Sequence, residues 1–267
     1  MSVDTLEGEL SGPALSLDDA DPVAALRARG FALSGADPLR AACGVTADDT
    51  RRLAPSWSDL PPDTHLRDRG GYRYRRHASY MLDLADGTLT RMPHRAHWQP
   101  TTYNALHGGI ERWFEPVDDG LDGDPAWGAM LRHLGLLFAE AAAHDAPDLW
   151  FIETHQFRID TASGIGRPTP EGAHRDGVDY VALILVERHG VRGGETRVFQ
   201  VDSALGVRFT LSEPWSALLM DDARVIHETT PILPLDPDAT RNAWRDTLVI
   251  TYRRGGFQDP AGEQRSE

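Results

Sequence analysis

His174 and Asp176 form a pair of potential metal ligands in the stretch Pro-Glu-Gly-Ala-His-Arg-Asp-Gly of residues 170–177. In an extended strand, residues i and i+2 project from the same face, so this imidazole and this carboxylate can bind one ion without distortion of the backbone. His227, further along the chain, supplies a second imidazole. Two histidines and one carboxylate on one side of a metal leave the opposite positions open. This set predicts a ferrous centre that also binds a co-substrate and dioxygen.

With eleven histidines in the chain, a lone His-x-Asp pair can arise by chance. The residues around this pair strengthen its interpretation as a metal site. A Pro-Glu-Gly turn precedes the pair, Gly177 follows it, and residues 178–186 form an apolar run typical of a buried strand. His227 likewise follows a turn at Asp221-Asp222, and we assign this acidic pair to a hairpin rather than to a second metal site. The pattern therefore predicts that the ligands lie at strand ends facing a cavity.

Arg245 is the next chemical feature, because it lies just before the apolar strand predicted over residues 247–252. It shares its parity with Thr247, so its guanidinium can face the cavity that holds the ligands. An unpaired guanidinium in a protein interior is unfavourable, whereas a carboxylate in front of it forms two charge-assisted hydrogen bonds. Arg245 is therefore a candidate anchor for a dicarboxylate co-substrate. Pairing with Asp246 is the alternative, and Arg253 has the same parity at the far end of the strand.

Thr196 is a second candidate for contact with the co-substrate. It follows Gly193 and Gly194, which predict a tight turn with positive backbone dihedral angles. A hydrogen bond from its hydroxyl to the co-substrate is one interpretation, but an ordinary hairpin also accounts for both glycines. The sequence leaves these two interpretations open.

The chain changes from a helical, mixed N-terminal part to short β-rich runs after Pro147. Helices are predicted over residues 21–30, after Thr46 and from Asp124-Pro125 onward. The last has a core-facing apolar stripe of Trp127, Met130, Leu131, Leu134, Leu137, Phe138 and Ala141. Strands are predicted over residues 31–33, 72–81, 149–159, 180–187, 196–201, 206–211, 217–220, 224–228 and 247–252. The fold class is therefore α+β and mainly β, with flanking N-terminal helices on a double-stranded β-helix of the jelly-roll, cupin-like kind.

One domain over residues 21–257 is predicted, with its jelly-roll core at about 149–254. Residues 1–20 are acidic and lack periodicity, so they predict a flexible segment, and residues 258–267 predict a flexible tail. No apolar run approaches the length of a membrane span, and no signal peptide is recognised, so a cytoplasmic location is expected.

Composition narrows the partners. The formal charge of −14 disfavours a nucleic-acid partner, because such binding relies on neutralising phosphates with basic side chains. Cys43 is the single cysteine, which excludes an intrachain disulfide and cysteine-rich metal sites. We interpret Cys43 as a small buried apolar residue. The oligomeric state is not indicated by the sequence.

Four motifs in order resemble one known family: Pro-Glu-Gly-Ala-His-Arg-Asp-Gly-Val-Asp from residue 170, Gly-Gly-Glu-Thr from 193, Val-Ile-His-Glu-Thr-Thr-Pro-Ile from 225 and Trp-Arg-Asp-Thr-Leu-Val-Ile from 244. This is similar to the bacterial iron- and 2-oxoglutarate-dependent dioxygenases of the L-isoleucine 4-hydroxylase type, which act on free amino acids. The resemblance covers roughly residues 70–254. It implies that His174, Asp176 and His227 hold Fe(II) and that Arg245 binds 2-oxoglutarate. It also implies hydroxylation coupled to release of succinate and CO2.

A free amino acid as substrate calls for an arginine near its carboxylate and an acid or amide near its ammonium group. In the predicted strand over 149–159, Gln156 and Arg158 share one face and suit these roles, while Glu153 and His155 lie on the opposite face. His155 is interpreted as a packed or surface histidine. Further candidates for the carboxylate are Arg73 and Arg75, although salt bridges across the sheet account equally well for any of these arginines.

Two other classes of function remain open at this stage. The three ligands also suit a jelly-roll metalloprotein that catalyses isomerisation or hydrolysis with zinc or manganese. Arg245 disfavours this alternative, since such reactions need no dicarboxylate anchor. A non-catalytic domain that is stabilised by a metal or senses a ligand is the third possibility.

Overall fold

Two antiparallel β-sheets that face one another form the centre of the protein in the computed structural model. The structure describes residues 3–6, 18–66, 71–104, 106, 108–201, 203, 206–238 and 243–260, with the backbone alone for residues 3–6. Strands β1–β13 and helices α1–α5 are numbered in chain order. The antiparallel double sheet confirms the predicted mainly β class with a jelly-roll core.

The large sheet has seven strands. Their order across the sheet is β2 (Phe31–Ser34), β10 (Ala217–Asp221), β6 (Tyr180–His189), β13 (Trp244–Arg253), β5 (Leu149–Asp160), β3 (Arg73–Asp83) and β4 (Leu89–Arg91). The small sheet has the order β1 (Val3–Leu6), β9 (Gly206–Phe209), β8 (Thr196–Gln200) and β11 (Val225–Thr229). A separate ribbon pairs β7 (Val191–Gly193) with β12 (Ile232–Pro234). The predicted strands are confirmed, and the short β1, β4, β7 and β12 are additional.

The helices lie mainly before β5, as predicted. They are α1 (Pro22–Arg29), α2 (Ala36–Cys43), α3 (Ala47–Leu53), α4 (Asp119–Asp122) and α5 (Pro125–Ala142), with 3-10 turns at Ala54–Trp57 and Ala143–Asp145. The Asp21 side chain caps α1 by accepting from the Ala24 N–H over 2.9 Å, and Gly30 ends it with φ of 83°. Asp124 caps α5 in the same way, with Pro125 in the first turn.

The outer face of the large sheet packs against α5. The predicted stripe of this helix is buried from Trp127 to Phe138, and it contacts Trp150 and Tyr252 of the sheet. Gly135 permits a close approach, because a Cβ there would lie 2.4 Å from Cδ2 of Leu82. This layer forms the larger hydrophobic core.

Cys43 lies in the same core, at the end of α2. Burial raises the pKa of its thiol to about 12, so the thiol stays protonated at neutral pH. The interpretation of Cys43 as a small buried apolar residue is thus confirmed.

The space between the sheets is divided into an apolar and a polar half. The apolar half is filled by side chains of β2, β6 and β10 against those of the small sheet, among them Phe31, Leu33, Val207, Phe209 and Met220. The inner faces of β3, β5 and β13 carry polar side chains and line a cavity instead. The interior between the sheets therefore consists of a hydrophobic core at one end and a polar cavity at the other.

The N-terminal region differs in part from the flexible segment predicted over residues 1–20. Strand β1 pairs with the edge of β9, and the Asp19 carboxylate accepts a hydrogen bond from the Leu33 N–H over 2.8 Å. Residues 7–17, and residues 261–267 of the predicted tail, lie outside the described residues. Within the part of the chain that the structure describes, no helix has the length and apolar character needed to cross a membrane.

Candidate active site

The structure brings His174, Asp176 and His227 together beside the small sheet. His227 lies on β11, and His174 lies in the loop before β6. These two residues form an isolated antiparallel bridge, in which each backbone N–H donates to the carbonyl oxygen of the other over 3.0 Å. The bridge holds the two imidazole rings side by side, with centroids 4.6 Å apart. A strand-like pairing therefore unites candidate ligands that are distant in sequence.

The side-chain atoms of this set lie close enough to share one ion. Nε2 of His174 lies 3.7 Å from Oδ1 of Asp176, and Nε2 of His227 lies 3.9 Å from Oδ2. One ligand atom from each residue lies within 4.8 Å of the other two, and an ion about 2 Å from each can span such separations. Nδ1 of His174 donates to the Gly172 carbonyl oxygen over 2.9 Å, which leaves the Nε2 lone pair for a metal.

The protonation states of the three candidate ligands depend on one another. Burial alone would lower the pKa of His174, but Asp176 and Glu171 outweigh it and raise this pKa to about 9. Burial alone would raise the pKa of Asp176, but the two histidines hold it well below its ordinary value. Burial and the neighbouring His174 lower the pKa of His227 to about 4. A metal ion among these groups would replace the proton of His174.

Asp222 holds the loop that carries Asp176. Its carboxylate accepts hydrogen bonds from the backbone N–H groups of Asp176, Gly177 and Val178, over 2.9, 2.8 and 3.2 Å. Burial and the charge of Asp176 raise the pKa of Asp222 to about 7, against the effect of these donors. Gln258 adds a hydrogen bond from Nε2 to the Gly177 carbonyl oxygen over 2.6 Å. The position of Asp176 thus depends on an acid that the sequence assigned only to a hairpin.

We expect Asp222→Asn to lower the free energy of unfolding by about 1–3 kcal/mol and the metal affinity by about 10–100-fold. The amide keeps one acceptor oxygen and turns an NH2 group toward backbone donors. Asp221→Asn is the matched control, because the Asp221 side chain lies in the same turn and accepts one hydrogen bond, from the Ala223 N–H over 3.2 Å. Anaerobic Co(II) titration and thermal unfolding measure the two effects. Equal metal affinities of the two variants would contradict this role for Asp222.

The ligands face a cavity enclosed between the two sheets. The space within its walls, together with the solvent at its open mouth, amounts to about 950 Å³. The large sheet contributes Arg73, Arg75, Glu153, His155, Phe157, Ile159, Val181, Leu183, Arg245, Thr247, Val249 and Thr251. The opposite side is formed by His227 and Thr229 of β11 and by loop residues that include His97, Gln99, Asn104, Arg112, Glu171 and Gln258.

Arg245 is a buried cation with unpaired donors on the cavity wall. It is 2% exposed and lies on the same face as Thr247, Val249 and Thr251, which is the shared parity that the sequence predicts. Its Nε and Nη2 have no hydrogen-bond partner among the described residues. Burial and the nearby Arg188 lower the pKa of Arg245 to about 9, so it remains charged at neutral pH. Such a group fits a carboxylate ligand that supplies the missing acceptors.

Thr196 and Arg253, the other two candidates for contact with the co-substrate, do not line the cavity. The Thr196 hydroxyl is buried, 3.3 Å from Oγ1 of Thr229, and only Thr229 lines the cavity. Arg253 donates to the Gly256 carbonyl oxygen at the far end of β13. Arg245 is therefore better placed than either of them to meet a co-substrate.

Arg73 and Arg75 line the cavity together with Arg112, and we call these three the arginine cluster. They are 6%, 4% and 2% exposed. Nε of Arg73 donates to Oδ2 of Asp63 over 2.7 Å, and Nη1 of Arg75 lies 3.7 Å from the same oxygen. Nη2 of Arg112 donates to Oε1 of Gln99 over 2.8 Å. Arg73 and Arg75 are the two arginines of this cluster that the sequence suggests as partners of the substrate carboxylate. Arg73 has a close acid partner, and Arg75 has a more distant one.

Arg75 lies between two aromatic rings. Its guanidinium carbon is 3.6 Å from the ring centroid of Phe114 and 4.4 Å from that of Phe157. Nη2 donates to Nδ1 of His155 over 2.7 Å. Nε of Arg75 and Nε of Arg112 have no hydrogen-bond partner among the described residues.

A second group of possible ligands, His77, His97, Glu153 and His155, lies beside the arginine cluster. Its contacts fit a hydrogen-bonded carboxylate better than a metal site. Nε2 of His77 and Nδ1 of His97 each lie 3.2 Å from a Glu153 oxygen, and Nη1 of Arg95 donates to Glu153 over 3.0 Å. Burial lowers the pKa of His97 to about 4, so its imidazole is neutral. Guanidinium groups against both Glu153 and His155 would repel a dication here.

Gln156 and Arg158 lie on the opposite face of β5 from the cavity, which corrects the face expected for them. Nε2 of Gln156 donates to Oγ of Ser56 over 3.0 Å. Arg158 forms a bidentate pair with Asp246, over 2.8 and 2.6 Å. The neighbours of opposite parity, Glu153 and His155, face the cavity instead. Pairing between Arg158 and Asp246 also leaves Arg245 without that acid.

Several cavity residues were not identified from the sequence. His97, Gln99, Asn104 and Arg112 come from a stretch without sustained periodicity, in which only the local density of polar and aromatic residues could have served as a signal. The sequence pattern assigns Glu171 only to a turn. Its Oε1 lies 3.7 Å from Nε2 of His174, and its Oε2 is buried without a hydrogen-bond partner among the described residues.

A jelly roll whose interior carries two histidines and a carboxylate within reach of one ion is typical of the non-haem iron oxygenases. The donor set fits Fe(II), and the unpaired guanidinium of Arg245 fits a dicarboxylate co-substrate. Comparison with known sequences agrees: the profile described as 2OG-Fe dioxygenase matches residues 54–251. The chain belongs to this family and is a 2-oxoglutarate-dependent dioxygenase that uses Fe(II), 2-oxoglutarate and dioxygen.

Solved structures give the same fold. A bsmA homologue from Methylobium petroleophilum PM1 is 56% identical, with a TM-score of 0.85 over 90% of this chain and 95% of that one. IDO from Bacillus thuringiensis is 17% identical, with a TM-score of 0.70 over 91% and 100% of the two chains. The Fe(II)/α-ketoglutarate-dependent dioxygenase TqaL is 20% identical, with a TM-score of 0.65 over 89% and 88%. The last two support the fold alone. A comparison with curated proteins gives no match.

Proposed function

We propose that this dioxygenase hydroxylates a free L-amino acid or a closely related small molecule, with His174, Asp176 and His227 as the iron ligands and Arg245 as the anchor of 2-oxoglutarate. The observation that carries the proposal is the presence of both unpaired hydrogen-bond donors and an unpaired acceptor among the residues that line one cavity. The residues that carry these groups, namely Arg75, Arg112 and Arg245 with unpaired guanidinium N–H groups and Glu171 with an unpaired carboxylate oxygen, line the same chamber as the metal-ligand set. A zwitterion offers one partner for each.

Arg245 would bind the carboxylate of 2-oxoglutarate that lies away from the iron. The two donors without a partner, Nε and Nη2, suit the two oxygens of one carboxylate. Thr247 lies on the same face of β13 and adds a hydroxyl to this side of the wall. When bound, iron and 2-oxoglutarate together supply the oxidising chemistry, in which 2-oxoglutarate yields succinate and CO2.

The substrate carboxylate would bind the arginine cluster, and its ammonium group would bind Glu171. Nε of Arg75 and Nε of Arg112 offer unused donors, and Oε2 of Glu171 offers an unused acceptor. Glu153 is a weaker candidate for the ammonium group, since two histidines and Arg95 already donate to it. Apolar side chains such as Phe157 and Val249 remain for the carbon skeleton.

The resemblance to the L-isoleucine 4-hydroxylase type supports the free amino acid as the substrate class. The protein would fix both charged ends and so orient one carbon-hydrogen bond toward the iron, where a shift of about 1 Å can cost roughly a hundredfold in rate. The enclosing walls would also exclude water from the oxidising centre.

A screen of free L-amino acids tests the proposal. Each is incubated with the protein, Fe(II), 2-oxoglutarate and air, and mass spectrometry follows both a gain of one oxygen and the formation of succinate. We expect at least one amino acid to gain oxygen in step with succinate, and its D-enantiomer to react far more slowly. The Asp176→Ala protein is the control for chemistry without the enzyme. Succinate release that no amino acid stimulates would contradict the proposed substrate class.

A further inference from the structure

The arginine cluster carries more positive charge than its surroundings balance. Among the described residues, Asp63 is the one carboxylate within salt-bridge distance of the cluster, and Arg73 already donates to it over 2.7 Å. The other contacts of Arg75 and Arg112 are neutral groups, namely two aromatic rings, an imidazole nitrogen and the Gln99 amide oxygen. At salt-bridge distance, three guanidinium groups therefore share one carboxylate, while Glu153 and Glu171 act on Arg112 from farther away.

The strand register places the arginine cluster, with its excess positive charge, away from Arg245, the proposed anchor of 2-oxoglutarate. Arg73 on β3 and Arg245 on β13 both pair with Ile159 of the intervening β5, so they lie at one level of the sheet and two strand spacings apart. Two strand spacings amount to roughly 10 Å. Arg75 pairs with Phe157, one inward-facing position further along. The charges that act on Arg245 are those of Arg188 and Asp246 and not those of the cluster, so a carboxylate held by Arg245 would leave the charge of the cluster largely unbalanced.

Nearby acids are already engaged. Glu153 is balanced by Arg95, which donates to it over 3.0 Å from outside the cavity. Asp176 belongs to the metal-ligand set. Glu171 is the acid next to this set and the proposed partner of the substrate ammonium group. The amino-acid carboxylate alone would leave one cationic charge of the cluster unbalanced in a buried wall.

We propose that the substrate carries a second carboxylate and that the arginine cluster binds both of its anionic groups, which makes a dicarboxylic amino acid the preferred substrate class. The proposal rests on the proposed function and makes it narrower. Arg112 contributes its free Nε, and Arg75, oriented by Phe114 and Phe157, contributes a rigid donor edge. Burial of both residues to 2–4% exposure strengthens the preference for anions.

Pairs of amino acids that differ by one charge test this directly. L-glutamate with L-glutamine, and L-aspartate with L-asparagine, have nearly the same shape within each pair. Each is titrated into the anaerobic protein loaded with Fe(II) and saturating 2-oxoglutarate, and binding is followed by calorimetry, without turnover. We expect at least one acid to bind at least about tenfold more tightly than its amide.

Variants locate the preference. Arg75→Met and Arg112→Met keep an unbranched side chain but remove the charge, and each is expected to bring the ratio of acid to amide affinity close to one. Arg76→Met is the matched control, because Arg76 lies on the other face of β3 and donates to the Pro116 carbonyl oxygen over 3.2 Å. Circular dichroism confirms that each variant is folded. If one variant fails to fold, the ratio of acid to amide affinity in the unmodified protein still tests the dicarboxylic substrate class.

The outcomes separate this proposal from the one on which it rests. Equal affinities of acid and amide in the unmodified protein, or no binding of either acid, overturn the dicarboxylic class, and so does a preference that survives in both cluster variants. Hydroxylation of a neutral amino acid without any preference for acids would keep the proposed function and reject the narrower class. Tight binding of an acid that yields no succinate would keep the binding site and reject the proposed reaction.

Discussion

Replacement of Arg245 by methionine is expected to weaken the binding of 2-oxoglutarate by at least about thirtyfold, since removal of one partner from a buried charged pair costs about 2–5 kcal/mol. The reason is specific to this side chain, because two of its donors have no partner within the described part of the protein. The same change removes a buried, uncompensated cation. The free variant should therefore be no less stable than the unmodified protein.

Anaerobic titration of the Fe(II) protein with 2-oxoglutarate measures this effect through the weak visible charge-transfer band of the complex. Arg253→Met is the control, because Arg253 lies on the same strand with the same parity but outside the cavity wall. Its titration should match that of the unmodified protein. If Arg245→Met titrated normally while Arg253→Met did not, the two residues would have to exchange roles.

Substitution of alanine for His174 or Asp176 is expected to abolish turnover, with a loss of at least about a thousandfold, while the fold persists. The Asp176 carboxylate has one weak side-chain hydrogen bond, 3.4 Å from Nε2 of Gln99, so its removal breaks little of the structure. The hydrophobic core on the outer face of the large sheet is remote from both residues.

Succinate formation under saturating Fe(II) and thermal unfolding distinguish lost chemistry from lost structure. Asp179→Ala is a matched carboxylate control, because Asp179 lies three residues after Asp176 and pairs with the exposed Arg254 instead of facing the cavity. It should retain turnover. Full activity of both ligand variants would rule out the proposed iron ligands, whereas a collapse of thermal stability would indicate that the loop is needed for folding.

The parts of the site that depend on short-range spacing could be predicted from the sequence. The i, i+2 relation of His174 and Asp176, and the parity of Arg245 with Thr247, follow from strand geometry alone. The predicted strands, and the apolar stripe of α5, follow from periodicity in the same way. The structure brings together the three proposed ligands, while the roles of these residues stay predictions until the variants are tested.

The face of β5 could not be predicted in this way. Strand parity shows that Gln156 and Arg158 share one side, but it does not show which side is inside. Both faces of this strand are covered, one by helices and the other by the cavity wall, so hydrophobicity gives no preference. Which face of β5 points inward is determined by its pairing with β13, in which Arg245 lies opposite Ile159. That register depends on contacts between residues far apart in sequence.

Long-range contacts also explain why Asp222 and Arg112 were not assigned roles at the site. Asp222 lies in a turn where acids are common, and its function emerges only when the loop of Asp176 folds over it. Arg112 reaches the cavity from a segment without regular structure, paired through its backbone with His97. No local pattern in the chain connects these residues with the metal ligands.

The hydrophobic core between α5 and the large sheet has a consequence for the evolution of this enzyme. Because the larger hydrophobic core lies on the side of the sheet turned away from the chamber, substitutions on the chamber side leave that core intact. Such a scaffold can accept new side chains around the substrate while the metal-ligand set stays unchanged. Laboratory selection for new substrates should therefore yield mostly well-folded variants when mutagenesis is confined to the inward positions of β3 and β5 other than the ion-paired Arg73 and Glu153.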